Sequence, residues 1–497
     1  MSSPRRALIW SMALVAAVSG LDNGLARTPA MGFNTWNVFR CGGVTAAAIE
    51  AVADHMLKLG LVELGYTYLN IDDCWSTDLA DDGSLVADPV AFPNGIGAVA
   101  DAVHSRGLKL GIYSDRGMLT CAGRPASGGR EKLHARQLAD WGIDYLKYDS
   151  CWASNRHATA FEQYGRMRDA LNATGRPILF SLCGWNAWYA PHGSSLGNSW
   201  RVAPDTDEWA NVYVAVRTNE RLGAFARPGA FNDPDMLVGS NPAAPVHFTP
   251  AQVQTQFSLW AVMAAPLLLG APLEGMPPSD LATYTNEEVI AIDQDELGVQ
   301  GRVVWSNCPP FEPRDNWWMS PWSMPLDVAL MWTQALAALL CVLGGLSAAT
   351  SRGLYPRSEA VQRGDEVGLL YRAAMLLARA LRMLLTSLAV VILLAIWSSR
   401  PTLDSCQMVW ARPLARGEHA LCFVNFAEAQ ATVTCDDGCM AQLARSSTAT
   451  AAMTAATAAK FRVRDVVARA DLAEERTSLA VTLDGGGASA LYRLVPA

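Results

Sequence analysis

The sequence lacks the patterns that mark several large classes of protein. It has no block of basic residues, and its 497 residues carry a formal net charge of −8, which argues against a nucleic-acid partner. The seven histidines are scattered, and neither a His-x-x-x-His nor a Cys-x-x-Cys pair occurs, so no metal site is predicted. Phosphate-loop and dinucleotide fingerprints are also absent, and we expect no cofactor.

The first twenty residues have the composition of a secretory signal peptide. Arg5 and Arg6 provide a charged start, residues 7–18 form an apolar core, and Val18 and Gly20 are small enough for cleavage after residue 20. An uncleaved membrane anchor is the alternative, but the apolar run is short for a bilayer. Export predicts disulfides among the eleven cysteines, of which at least one stays unpaired in a monomer. Cys341, inside an apolar run, is the candidate free thiol, and Asn172 begins the one acceptable glycosylation sequon.

Short apolar runs alternate with helical stretches from about residue 28 to residue 300. This alternation predicts βα units and a parallel sheet, and eight units fit a (β/α)8 barrel, in which the chemistry lies at the C-terminal ends of the strands. The predicted strands are Gly32–Asn34, Tyr66–Ile71, Lys109–Tyr113, Tyr145–Tyr148, Ile178–Leu182, Ser199–Val202, Ala230–Asn232 and Pro266–Leu269.

Two of these predicted strands end in segments that place a carboxylate just past an apolar run. They are Tyr145-Leu-Lys-Tyr-Asp-Ser-Cys151 and Ser199-Trp-Arg-Val-Ala-Pro-Asp205, and the carboxylates are those of Asp149 and Asp205. Glycoside hydrolysis needs two such groups, one as nucleophile and one as acid/base. An Asp after a strand is more often a turn residue or a helix N-cap, and either segment alone would favour that interpretation.

Further acidic corners occur in order along the chain. They are Asn70-Ile-Asp-Asp-Cys-Trp75, Leu108-Lys-Leu-Gly-Ile-Tyr-Ser-Asp115 and Phe231-Asn-Asp-Pro-Asp-Met236, preceded by Thr28-Pro-Ala-Met-Gly-Phe-Asn-Thr-Trp36. Together the motifs resemble glycoside hydrolase family 27, the melibiase or α-galactosidase family, from about residue 21 to residue 300 and again from about residue 407.

The resemblance implies a retaining exo-glycosidase that removes terminal α-D-galactosyl residues, with Asp149 as nucleophile and Asp205 as acid/base. It assigns sugar binding to a set of residues lining the pocket: Trp36, Asp72, Asp73, Tyr113, Lys147, Cys183, Trp185, Arg201 and Asp235. The acid requires a raised pKa while the nucleophile stays ionised. Asp233 belongs to the same acidic corner as Asp235, and the alternative for it is a structural role as a helix N-cap.

The same resemblance implies three disulfides: Cys41 with Cys74, Cys121 with Cys151, and Cys435 with Cys439. It leaves the sugar's 2-position open. Gly184, where many members carry Glu, and Ala187 would leave room for an acetamido group, as in an α-N-acetylgalactosaminidase, whereas Cys183 and Trp185 match plant-like α-galactosidases. A non-catalytic galactoside-binding protein is a further alternative.

The C-terminal residues 408–426 and 460–494 alternate as antiparallel strands do, and related enzymes carry a β-sandwich there. Residues 309–405 depart from the family. Residues 328–347 contain no charge, and residues 376–397 form a second apolar stretch, which predicts a transmembrane hairpin. A buried helical pair and a translated intron are the alternatives. Cys308 and Cys406 flank the insertion and are predicted to pair at its base.

The sequence therefore predicts a barrel at 21–300, a β domain from 301–308 and 406–497, and the insertion between them. The expected partner is a galactose-containing substrate, and homodimerisation is left open. The expected compartment is the secretory pathway, with the protein secreted, lysosomal or vacuolar, or held at a membrane with its barrel on the lumenal side.

Overall fold

The structure is a computed structural model that describes residues 23–154, 156–313, 405–444 and 460–497. The predicted signal peptide, Cys341 and the two apolar stretches of the predicted hairpin lie outside these residues. Within the part of the chain that is described, no helix is both long enough and apolar enough to cross a membrane.

Eight parallel strands form the first sheet, and they coincide with the eight predicted strands to within two residues at either end. They are β1 (Met31–Asn34), β2 (Tyr68–Asn70), β5 (Lys109–Asp115), β6 (Tyr145–Asp149), β7 (Leu179–Leu182), β8 (Ser199–Arg201), β9 (Phe231–Asp233) and β10 (Leu267–Leu269). A small antiparallel hairpin of β3 (Ser76–Leu79) and β4 (Leu85–Ala87) follows β2.

A parallel bridge closes this sheet into a barrel. Strand β1 pairs with both β2 and β10, and Leu237, just past β9, pairs with Leu269 of β10. The Leu237 N–H donates to the Leu268 carbonyl at 2.8 Å, and the Gly270 N–H donates to the Leu237 carbonyl at 2.8 Å. The predicted barrel is thus confirmed, and the carboxyl ends of its strands meet at one face.

Helices pack outside the strands: α1 (Trp36–Phe39), α2 (Ala46–Lys58), α3 (Gly95–His104), α4 (Glu131–Asp140), α5 (His157–Asn172), α6 (Ala190–Leu196), α7 (Trp209–Asn219), α8 (Pro250–Met263), α9 (Pro278–Tyr284) and α10 (Glu287–Asp293). Helix α8 begins at a capping box in which Thr249 and Gln252 satisfy each other's backbone N–H groups. It is buried on nearly all sides because it also packs against the C-terminal sheets.

The C-terminal part contains antiparallel sheets, as predicted. The larger joins β11 (Arg302–Ser306), β12 (Gln407–Pro413), β13 (His419–Asn425), β18 (Ala488–Pro496), β15 (Phe461–Asp465) and β16 (Ala470–Asp471), while β14 (Ala431–Cys435) pairs with β17 (Leu479–Leu483). A short helix, α11 (Asp437–Ala444), follows β14. Buried apolar side chains between the two sheets form a core separate from that of the barrel.

The strands on either side of the predicted insertion are direct neighbours. Ser306 of β11 lies opposite Met408 of β12, and the Asn307 N–H donates to the Gln407 carbonyl at 3.2 Å. Cys308 and Cys406 form a disulfide at this point, which confirms the predicted pair. The three disulfides implied by the family resemblance are also present, and Cys183 and Cys422 are buried free thiols.

Candidate active site

The two candidate catalytic carboxylates lie at the carboxyl ends of barrel strands separated by one strand. Asp149 is the last residue of β6, and Asp205 follows β8 by four residues. Each is close enough to a cluster of charged groups to have its pKa shifted, and the Asp205 charge contributes to the shift at Asp149. The sequence predicts that Asp149 and Asp205 lie at the same face of the molecule. A barrel of parallel strands produces this arrangement because all its strands end at one face.

Asp149 is almost fully buried, at 4% exposure, and is held on both oxygens. The Tyr113 hydroxyl donates to Oδ2 at 3.0 Å, and the Ser150 N–H donates to Oδ1 at 2.8 Å. Burial raises the pKa of Asp149 to about 7, and the charges of Asp205 and Asp72 add to that rise, while the Lys147 ammonium opposes it.

Asp205 has a different environment, because its side chain keeps 55% of its exposure and pairs with Arg201 at 2.8 Å. Loss of solvent within the pocket raises its pKa, but the cations of Arg201 and Lys147 outweigh this and leave the pKa of Asp205 below its usual value. Because the Asp205 side chain is half exposed, its ion pair with Arg201 determines the direction of the pKa shift more strongly than burial does. Arg40 adds a further positive charge.

The pKa order of Asp149 and Asp205 is thus the reverse of the one that the predicted roles require. Arg201 is the physical reason, since it is buried and bridges two carboxylates, Asp205 at 2.8 Å and Asp235 at 2.8 Å. Burial raises the pKa of Asp235 to about 6 against this attraction. The Arg201 Nε is buried without a hydrogen-bond partner in the described structure, which leaves a donor unused.

The acidic pair after β2 is positioned by a turn that begins directly after Asn70. Asp72 Oδ2 accepts from Lys147 at 2.7 Å and from Asn34 at 2.8 Å, while Asp73 Oδ2 accepts from the Ala122 N–H at 2.9 Å. Neighbouring side chains in a strand point to opposite faces of the sheet, but β2 has ended before Asp72 and Asp73. Both carboxylates can therefore face one pocket. Burial raises the pKa of Asp73.

Lys147 lies between the acidic pair and Asp149. Its ammonium is 5.3 Å from the Tyr113 ring centroid, and the Asp72 charge raises its pKa despite the opposing effect of burial. A fixed cation here favours the ionised form of Asp149. Arg40 lies over the Trp36 ring at 5.0 Å, which connects the predicted stacking residue with the side of the site that carries Asp205.

The loop after β7 corrects the expectation of free space beside Gly184. A Cβ atom at Gly184 would lie 1.9 Å from the Tyr189 ring, so the missing side chain makes room for a buried tyrosine and not for an acetamido group. Cys183, buried, lies 3.9 Å from Arg201 Nη1, and Trp185 has a left-handed backbone with φ of 54°. The hypothesis that Gly184 and Ala187 leave room for an acetamido group therefore has no support in the structure.

Several residues around the site were missed or given other roles by the sequence analysis. Asp115 was noted at a strand end without a role, and it accepts the Gly117 and Cys151 N–H groups at 2.6 and 2.7 Å beside the nucleophile. Asp233 accepts the Asp235 N–H at 2.8 Å in the turn after β9, but the next helix begins only at Pro250, so the N-cap alternative is wrong. Nothing in the sequence marks Arg40 as a site residue, apart from its position next to Cys41 of a predicted disulfide.

A group of acidic and sulfur atoms beside the nucleophile has the spacing of metal ligands, with Asp115, Asp149, Cys121 and Cys151 atoms within 4.8 Å of one another. Both sulfurs belong to one disulfide, so neither is a free thiolate. The group is therefore better described as a disulfide packed against the nucleophile, and the Tyr113 hydroxyl joins them by contacting Cys121 Sγ at 3.2 Å.

Comparison with known proteins identifies the family. The family model described as alpha galactosidase A matches residues 28–295, and the one described as the alpha galactosidase C-terminal beta sandwich domain matches residues 404–494. The chain belongs to glycoside hydrolase family 27, the α-galactosidase family. The residues between the two family-27 matches, 296–403, include all but the last two residues of the predicted insertion.

Individual family members agree with this result. The chain is 40% identical to an alpha-galactosidase of Oryza sativa subsp. japonica over 69% of this chain and 82% of that one. It is 44% identical to alpha-galactosidase 3 of Arabidopsis thaliana over 63% of this chain and 70% of that one. Alpha-galactosidase I from Mortierella vinacea superposes with a TM-score of 0.70 at 24% identity, covering 95% of this chain and 98% of that one, and this likeness concerns the fold.

Proposed function

We propose that Asp149 and Asp205 carry out the hydrolysis of terminal α-D-galactosides by double displacement. The enzyme is an α-galactosidase, a glycoside hydrolase of the family identified above. The observation that supports the two roles is the difference between the carboxyl groups: Asp149 is buried and fixed on both oxygens, whereas Asp205 is half exposed at the mouth of the site. A fixed group suits attack, and an exposed one suits proton exchange with a leaving group and water.

In the first step, Asp149 attacks the anomeric carbon, the glycosidic bond breaks, and Asp205 gives its proton to the departing oxygen. In the second step, Asp205 takes a proton from water, whose oxygen displaces Asp149 and regenerates both carboxyl groups. The configuration at the anomeric carbon is retained after two inversions. Asp72, Asp73 and Lys147 are proposed to bind the sugar hydroxyls that face them.

The reactive form of the pair carries one proton, and it must lie on Asp205. Burial of Asp149 and the attraction of Arg201 for Asp205 favour the proton on Asp149. We propose that substrate reverses this order in two ways: the sugar covers the exposed side of Asp205, which raises its pKa, and a sugar hydroxyl takes part of the Arg201 hydrogen bonding. Binding energy would then be used to place the proton.

The test uses an aryl α-galactoside, whose leaving group needs little protonation. Asp205→Asn should cleave it but stall at deglycosylation, and azide should restore turnover and yield the α-galactosyl azide, since an external nucleophile needs no base. Asp149→Asn should remain inactive with azide. The matched control is Asp207→Asn, two residues from the acid/base and outside the Arg201 pair, which should turn over without azide. The roles fail if Asp205→Asn turns over like the wild type, or if the first product is the β-anomer.

The predicted domain boundaries, the glycosylation of Asn172, the signal peptide and the oligomeric state remain proposals. Asn172 lies exposed at the end of α5, where a glycan would meet solvent.

A further inference from the structure

Arg116 is a fully buried arginine to which the proposed chemistry gives no role. It follows β5 directly, and solvent does not reach its side chain. Among the described residues its guanidinium forms no ion pair, and its hydrogen bonds go to three neutral acceptors: Ser150 Oγ, Gln163 Oε1 and the Ser154 carbonyl. Burying a charge without an opposite charge beside it is costly, so a cation at this position requires an explanation.

Arg116 contacts the chain around Asp149 at two points. Its backbone N–H donates to the Asp149 carbonyl at 3.1 Å, and its Nε–H donates to Ser150 Oγ at 2.9 Å. The Ser150 N–H in turn donates to Oδ1 of the Asp149 carboxylate at 2.8 Å. Ser150 therefore connects the guanidinium to the carboxylate, because its side chain accepts from Arg116 and its backbone donates to Asp149.

The Ser150 hydroxyl has a second partner that determines its direction. Its Oγ lies 2.8 Å from the Tyr164 hydroxyl, and the Tyr164 hydroxyl donates to the Tyr148 carbonyl at 3.1 Å. Since Tyr164 uses its proton in that bond, and Arg116 donates to Ser150, the Ser150 hydroxyl donates to Tyr164. The bonds thus run in one direction and hold the end of β6 at Tyr148, Asp149 and Ser150.

Aromatic side chains surround the guanidinium. Arg116 lies over the Tyr164 ring, 5.6 Å from its centroid. Burial raises the pKa of Tyr189, the residue that occupies the space at Gly184, and the Arg116 charge opposes that rise. The guanidinium is therefore held by stacking as well as by hydrogen bonds, which limits the movement of the Ser150 hydroxyl that it contacts.

A role in stability alone is the alternative for Arg116. Its bonds to Gln163 of α5 and to the Ser154 carbonyl join the loop after β6 to the outer helix, and neither bond concerns Asp149. An apolar side chain of similar size can pack such a loop without the cost of a buried charge. The charge itself acts on the acids of the site, since it opposes the rise that burial and the Asp149 charge give to the pKa of Asp115.

We propose that Arg116 is a positioning residue for Asp149, and that through Ser150 it holds the carboxylate in the orientation from which it attacks the anomeric carbon. This rests on the proposed function, in which Asp149 is the nucleophile. A hydrogen bond from a charged donor is stronger than a neutral one, so Ser150 has little freedom to turn. Its N–H then keeps Oδ1 in place while the Tyr113 hydroxyl holds Oδ2. A small displacement of the attacking oxygen slows the reaction far more than it weakens sugar binding.

The experiment measures kcat/KM for dinitrophenyl α-galactoside, whose leaving group needs almost no proton, so that the rate reports attack by Asp149. Ser150→Ala removes the hydroxyl and keeps the backbone N–H, and Arg116→Met removes the charge and keeps much of the side-chain volume. We expect each variant to lower kcat/KM about 10- to 100-fold. Arg116→Lys keeps a charged donor and should recover part of the loss. The affinity for galactose, measured by calorimetry, should be unchanged in all three.

Arg217→Met is the matched control for loss of a buried arginine. Arg217 is also buried, and it lies over the Tyr213 ring at 5.5 Å, but it belongs to α7 and donates to the Tyr213 hydroxyl and the Pro309 carbonyl. It should lower stability and leave kcat/KM of the folded enzyme unchanged. The double variant of Arg116→Met with Ser150→Ala should be no slower than the slower single variant, because Arg116 acts through Ser150.

Wild-type kcat/KM in Ser150→Ala, or losses that multiply in the double variant, would overturn the proposal, because Arg116 would then act by another route. Equal losses in folded Arg116→Met and Arg217→Met would also overturn it and assign Arg116 to stability alone. If Arg116→Met does not fold, Arg116→Lys and Ser150→Ala form the same cycle.

The substrate separates this proposal from the proposed function. A loss on methyl α-galactoside with none on the dinitrophenyl substrate would place the defect at Asp205, and would overturn the role of Arg116 while leaving the proposed function intact. A wild type that hydrolyses no α-galactoside would instead refute the proposed function.

Discussion

Asp149 should destabilise the fold that holds it. Asp149 has its pKa raised from 3.8 to about 7 by burial, so folding favours its protonated form. That preference stabilises the protein fully below pH 3.8 and is lost as the pH rises through 7. A rise from 3.8 to about 7 corresponds to about 4 kcal/mol at 1.36 kcal/mol per pKa unit. At pH 8 the wild type therefore bears a cost of that order for an ionised, buried carboxylate.

Asp149→Asn should remove this cost while keeping the shape of the side chain. The amide oxygen still accepts the Ser150 N–H, and the amide nitrogen can donate to the Tyr113 hydroxyl in place of the present bond. With an unfolding entropy near 2.1 cal/mol/K per residue, about 4 kcal/mol in a chain of this size raises Tm by about 4 °C at pH 8. The gain should shrink at pH 5, where nearly all of the folded wild-type carboxyl is already protonated.

The control lies in the same site and has the opposite sign. Asp205 has its pKa lowered in the pairing with Arg201, so Asp205→Asn should lower Tm at pH 8, leaving a buried guanidinium short of a partner. Differential scanning calorimetry from pH 5 to pH 8 on the three proteins measures both effects. The reasoning is refuted if Asp149→Asn is no more stable than the wild type at pH 8, or if its gain does not depend on pH.

Three other predictions follow from the structure. The kcat/KM for methyl α-galactoside should fall above pH 7, because the carboxyl pair then loses the proton that it donates, and a rate that is flat to pH 9 would exclude this. Gly184→Ala should destabilise the protein by about 1–3 kcal/mol because the new methyl group overlaps Tyr189. The control, Gly42→Ala, meets nothing within 4 Å and should cost less than about 1 kcal/mol, so equal denaturant midpoints for the two variants would contradict the prediction. Joining Asn307 to Gln407 should leave a soluble, active enzyme, since a two-residue hairpin loop then connects paired strands; replacing Gln407 by Gly should raise its yield, and an insoluble product in both forms would contradict the prediction.

The barrel was predictable because each of its strands is a local signal. A run such as Tyr145-Leu-Lys-Tyr is buried on both faces and ends in an acid, and the rule that parallel strands end at one face brings Asp149 and Asp205 together. The pairing of Cys308 with Cys406 was predictable in the same way, since both flank a segment that departs from the family. The ends of the strands were less predictable: β2 and β8 end one residue before the predicted limit, whereas β5 continues two residues past it, to Asp115.

What could not be predicted depends on contacts between distant residues or on backbone shape. Nothing in the local sequence shows that Tyr189 fills the space at Gly184, so the missing side chain was interpreted as room for substrate. The left-handed backbone at Trp152 has no sequence signature, because the usual residues for such a turn are Gly and Asn. Arg40 acts on Asp205 through space, from a different loop.

The arrangement of charges explains why one site can bind a neutral sugar and still carry several buried acids. Lys147 and Arg201 are each shared between carboxylates: Lys147 pairs with Asp72 while favouring ionised Asp149, and Arg201 bridges Asp205 and Asp235. Neither cation therefore belongs to one acid, and a change in hydrogen bonding at Arg201 would alter the proton affinity of Asp205. A sugar has hydroxyls but no charge, so it can exchange hydrogen bonds with Arg201 without adding charge to the site, which is the physical basis of the proposal that substrate binding sets the proton distribution.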